Sequence, residues 1–173
     1  KGARGAALDG VHISGGFADG DGLHSFGGAL LLTYYSSMSL RNVTFARNTA
    51  AHGGALFAWV WSSPRVEDCT FALNSALGGD TSGGGGGAVL LADGANASFD
   101  GCAFERNYAS RRGGAIFADY GTSPAVARSR FAHNSAGALG GALFADDRAA
   151  RVASGTGFAV VGSTFEANRA ALL

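Results

Sequence analysis

At 173 residues the chain is long enough for one domain with a continuous core, and its basic and acidic side chains balance at 13 each. That balance removes the electrostatic case for a nucleic-acid or anionic-membrane partner, and no run of 18 apolar residues exists to span a bilayer. Gly reaches 29 against 2 Pro without a collagen-like triplet, and a hydrophobic content of 47% is too high for a disordered chain, so the composition points to short strands joined by tight turns.

In chain order, Lys1 to Gly10 lack the apolar stretch of a signal peptide. Leu8 to Gly16 read as a degenerate first coil, with Ile13 and Gly16 where later coils place Phe and Asn. A regular repeat follows. Gly-Gly-Ala begins at Gly27, Gly53, Gly86, Gly113 and Gly140, and Phe-x-x-Asn-x-Ala begins at Phe45, Phe71, Phe104, Phe131 and Phe165. From the first Gly to the Phe is 18 residues in four copies, and seven more in the fifth. Extra length falls in few places, and loop insertions are expected near 17–26, 78–85 and 147–157.

Coils without an insertion hold 26 or 27 residues, too few for a strand-plus-helix unit, so two or three short strands per coil are expected. One strand covers Ala55 to Ala58 and its equivalents; another covers segments such as Arg41 to Phe45 and Glu67 to Phe71. Alternation puts Val43, Cys69, Cys102, Ser129 and Ser163 inside with the Phe, and Thr44, Thr70 and Thr164 outside. Strands linked by similar crossovers stack in parallel with right-handed coiling. The fold class is therefore all-β: a right-handed single-stranded parallel β-helix of about six coils, with uncapped ends.

In such a stack, equivalent residues of neighbouring coils lie about 4.8 Å apart. Phe45, Phe71, Phe104, Phe131 and Phe165 then form an internal ring column. Asn48, Asn74, Asn107, Asn134 and Asn168 sit at a turn, where Asn tolerates the left-handed conformation and its amide bonds both backbone and the next Asn. Gly-Gly supplies positive φ or close backbone approach at another corner.

This pairing of GGA(I/L/V) with FxxN from Ile13 to Ala170 resembles the repeat of the chlamydial polymorphic outer membrane proteins, shared by adhesin-like and pectate-lyase-like right-handed β-helix proteins. The resemblance implies a secreted or surface-displayed passenger domain, extracellular or at the cell surface. Residues 1–173 read as a single β-helix domain, a segment of a longer protein, because Asn168 to Leu173 stop where the next Gly-Gly is due and no polar cap follows. Its open ends would meet adjoining coils or partner subunits.

Candidate site residues are few. Tyr34, Tyr35, Trp59, Trp61 and Tyr120 follow the Gly-Gly-Ala strand in three coils and form a candidate edge for a protein or glycan ligand. Asp93, Asp119 and Asp146 fall at nearly equivalent places after that strand; they are a weak candidate for Ca²⁺ against the plainer reading that Asp favours turns. No other cofactor or metal is expected. Cys69 and Cys102 are equivalent in adjacent coils, within disulfide range or buried as thiols. No Ser/His/Asp set, Cys/His ligand spacing or carboxylate pair marks a catalytic centre. The expectation is a non-catalytic structural or adhesive module; the alternatives are an accessory structural subunit inside a larger, lumenal assembly and a pectate-lyase-like polysaccharide lyase or hydrolase.

Overall fold

The computed structural model describes residues 4–78, 84–146 and 157–171. Residues 79–83 of one expected insertion, 147–156 of another, and the terminal residues 1–3 and 172–173 lie outside the described residues. The described chain is a parallel β-helix. Its only helical segment is a 3-10 turn, Gly22–Ser25, and among the described residues no helix is long and apolar enough to cross a membrane.

Each full coil has four short strands, more than the two or three expected, and they stack into four parallel sheets. A first sheet contains Ser37–Arg41, Arg65–Glu67, Ser98–Asp100 and Ala125–Ala127. A Phe sheet contains Thr44–Ala46, Thr70–Ala72, Ala103–Glu105 and Arg130–Ala132. An Ala sheet contains the two-residue strands Thr49–Ala50, Ser75–Ala76, Tyr108–Ala109 and Ser135–Ala136. A Gly-Gly sheet contains Leu30–Leu32, Leu56–Ala58, Val89–Leu91, Ile116–Asp119 and Leu143–Asp146. The degenerate coil joins in register, Ile13 pairing with Phe45 and Phe17 with Thr49. Phe17 and Ala18 are thus strand, and the first excursion starts after them.

The segment expected as one strand from Arg41 to Phe45 is two. Asn42, Asp68, Gly101, Arg128 and Gly162 have φ of 47° to 63°, and this left-handed residue turns each coil from the first sheet into the Phe sheet. A second left-handed corner falls at Arg47, Leu73, Arg106, His133 and Ala167. The corner is therefore the residue before each Asn, not the Asn itself, which corrects the expectation.

What the Asn does is hydrogen-bond along the stack. Asn74 is fully buried; its Oδ1 accepts from both N and Nδ2 of Asn48, and its Nδ2 donates to Asn107 Oδ1 and to the carbonyl of Phe45, all at 3.0 Å. Asn107 and Asn134 repeat the pattern down to Asn168. Inside, Phe45, Phe71, Phe104 and Phe131 are fully buried, and successive rings through Phe165 stack with centroids 4.6 to 4.8 Å apart. The inward positions Val43, Cys69, Cys102 and Ser129 are 1 or 2% exposed, as alternation predicts. Both glycine roles occur at one corner: Gly53 has φ 59°, while a Cβ on Gly54 would stand 2.1 Å from the carbonyl oxygen of Gly87 in the next coil.

Candidate binding edge

Between the Gly-Gly sheet and the first sheet, the chain turns through two consecutive left-handed residues. These are Tyr34-Tyr35, Val60-Trp61, Asp93-Gly94 and Tyr120-Gly121, all with φ between 46° and 72°. Backbone bonds from Tyr35 to Val60, Trp61 to Asp93 and Gly94 to Tyr120 tie the four turns into one column. A side chain in this conformation costs about 1–2 kcal/mol relative to glycine, so glycine at Gly94 and Gly121 is the relaxed choice and an aromatic is the strained one. The strained choices project outward: Tyr34, Tyr35, Trp61 and Tyr120 are 44 to 54% exposed.

The edge is partly preorganised. Trp59, half-buried, has its ring 5.9 Å from that of Tyr34 and 6.4 Å from that of Phe57, and its Nε1 donates to the Asp93 carboxylate. The Trp61 ring lies against Gly94, where a Cβ would come within 2.8 Å of it. Glycine there lets one ring face rest on backbone while the other side of the residue stays in solvent.

The three Asp residues do not form a single column. Asp119 and Asp146 pair directly, but Asp93 lies one residue later, level with Tyr34 and Tyr120. Burial, and then the neighbouring Asp146, push the Asp119 carboxyl up to about 6, against a hydrogen bond from the Tyr120 N–H and the field of Arg112. Arg112 sits 3.5 Å from Asp146 and 5.9 Å from the centre of the Phe144 ring. The positive charge beside this carboxylate pair is thus a guanidinium. Among the described residues no three His, Cys, Asp or Glu side chains gather into a metal site.

A groove of 420 Å³ beside the first sheet is lined by Arg41, Arg65, Glu67, Asp68, Asp100 and Arg128. Two of its three carboxylates pair with arginine: Glu67 accepts from Arg41 at 3.0 Å and Arg65 at 2.5 Å, and Asp100 from Arg128. The bond from Arg65 leads the effects that hold the Glu67 carboxyl below its ordinary range. His52 packs 4.9 Å from Phe26, far in the coil from this groove.

One apolar feature lies outside the sequence expectations. Leu31, Phe57, Leu90, Phe117 and Phe144 form a column on the outward face of the Gly-Gly sheet, yet Phe57, Leu90 and Phe117 are only 3 to 6% exposed. The residue before each Gly-Gly covers it from the preceding coil: Phe26 stacks on Phe57 at 4.6 Å, Gly85 lies against Phe117, and Arg112 over Phe144. The signal was present as three apolar residues in a row, the mark of a strand buried on both faces.

The coil that carries Phe104, Asn107 and Gly113-Gly114-Ala115 without an insertion is the one a known repeat recognises. Residues 101–119 match the Chlamydia polymorphic membrane protein repeat. No curated protein and no solved structure matches the chain. In structural terms the matched repeat runs from the left-handed corner at Gly101, through the Phe and Ala strands, to the end of the Gly-Gly strand at Asp119. It ends one residue before Tyr120, so the aromatic edge follows the matched segment.

Proposed function

We propose that the chain is a non-catalytic β-helix module of a surface or secreted protein, with the Tyr34–Tyr120 corner as its face for a protein or glycan ligand. The observation that carries this reading is the display of exposed aromatic rings at one left-handed corner in three of four stacked coils, with Tyr35 and Trp61 at the position that the other two coils fill with Gly94 and Gly121. Rings displayed this way contribute large contact area with few rotatable bonds, which suits recognition. The match to a membrane-protein repeat supports surface display. The pairing of groove carboxylates with arginine supports a structural use of those charges.

The test uses the chain immobilised on beads, scored for adhesion to intact cells and for retention on a glycan array. Trp61→Ala combined with Tyr35→Ala is expected to lower retention at least tenfold while leaving the thermal midpoint within a few degrees. Unchanged retention in this double variant would remove the corner from the function. Unsaturated uronate products released from acidic polysaccharides would instead establish a lyase.

A further inference from the structure

We propose that Cys69 and Cys102 form a disulfide clasp that ties two neighbouring coils together across the glycine-rich insertion. The bond would form by exchange with a small-molecule disulfide. The pairing of Thr70 with Ala103 sets the two cysteines one above the other at the corner entering the Phe sheet. Stacked strands lie about 4.8 Å apart, inside the Cα separation of about 4.4–6.8 Å that a disulfide needs. Both thiols are free and 1 and 2% exposed, and each donates to a backbone carbonyl two residues before it, Cys69 Sγ to Glu67 at 3.1 Å and Cys102 Sγ to Asp100 at 3.4 Å.

Their location is selective. The other described members of this column are Val11, Val43, Ser129 and Ser163, and Ser129 Oγ accepts from the Cys102 N–H at 3.1 Å much as Cys69 Sγ accepts from Val43 at 3.4 Å. Serine therefore serves the hydrogen-bond ladder equally well. Cysteine stands in the two successive coils separated by the insertion near 78–85, where 33 positions part equivalent residues against 26 and 27 in the coils on either side; the other long spacing in this part of the column, 34 positions from Ser129 to Ser163, carries serine. A crosslink here closes a longer connection than in either flanking coil, and restricting the unfolded chain has more effect over a longer connection.

The two sulfurs suit different steps. The neighbouring Cys102 thiol leads the effects that lower the Cys69 thiol; the neighbouring Cys69, followed by burial, raises Cys102. Cys69 thiolate attacks one sulfur of the small disulfide, displacing one thiolate, which takes up the proton Cys69 has lost. Cys102 then loses its proton and attacks Cys69 Sγ in the mixed disulfide, displacing the second small thiol. Two cysteines are oxidised and one small disulfide is reduced to two thiols. Burial makes the reaction slow, since the corner must open to admit the reagent. The inference is independent of the aromatic corner.

The folded chain is incubated with oxidised glutathione and digested at aspartate. Cleavage before Asp68 and Asp100 leaves the two cysteines on separate peptides, whereas trypsin leaves both between Arg65 and Arg106. The expected product is this peptide pair joined through sulfur, an intact mass lower by two hydrogens, and a thermal midpoint raised by about 5 °C or more and reversed by a dithiol. C102S is expected to trap a glutathione adduct at Cys69. The C69S/C102S chain, with serine where Ser129 and Ser163 already have it, is expected to fold and to show no glutathione response. A stable adduct on the wild-type chain, a crosslink between two chains, or oxidation only after unfolding would overturn the proposal.

Discussion

At the scale of single residues, Asn107 shows how a polar side chain can be fully buried without penalty. Its Oδ1 accepts from N and Nδ2 of Asn74, and its Nδ2 donates to Phe71 O and Asn134 Oδ1, so every amide position is filled. Asn107→Ala would take the acceptor from both Asn74 donors, its N–H and one Nδ2 hydrogen. With each buried unsatisfied group costing about 1–3 kcal/mol, a loss of roughly 3 kcal/mol or more is expected in urea unfolding. Asp119 makes the opposite contribution. Its folded value near 6 stands above the ordinary 3.8, so the folded chain holds this proton more tightly than the unfolded chain does. Stability from this group is then fully present below about 4 and is lost as pH rises through 6. Thermal midpoints measured from pH 4 to pH 7 are expected to fall more steeply for the wild type than for Asp119→Asn.

At the scale of the element, the Phe strand is held by the ring that alternation points inward. Phe104 stacks on Phe71 at 4.8 Å and on Phe131 at 4.6 Å, and meets Phe99 edge-on at 5.6 Å. Phe104→Ala is expected to cost about 3–5 kcal/mol in chemical unfolding, and Phe165→Ala much less, since Phe165 is 49% exposed. The inward set of this strand was legible because a period of two and an 18-residue spacing fix it. The break before the strand was not, because residues as different as Asn42, Asp68, Gly101 and Arg128 all fill the same left-handed corner. The covered outer column escaped for a related reason. Its lids, Phe26, Gly85 and Arg112, share a position but no side-chain chemistry, so only the stacking of coils reveals them as lids.

At the scale of the molecule, the repeat by itself makes residues of successive coils equivalent, and the Phe and Asn columns follow from that equivalence. The aromatic corner was legible as a cluster but not as a turn with two left-handed residues. The offset of Asp93 from Asp119 was available by counting from the first Gly of each coil, seven residues against six. Because each coil touches only its neighbours, stability is shared through coil-to-coil contacts rather than one central core, and both the fold and the proposed binding edge depend on those contacts being in register. The most direct measurement is of nuclear Overhauser contacts between ring protons in a chain with assigned phenylalanines. Contacts between Phe71 and Phe104 and between Phe104 and Phe131, with none between Phe71 and Phe131, are expected. Rings of Phe71 and Phe104 without a mutual contact would contradict the stacked coils and the proposed binding edge that rests on them.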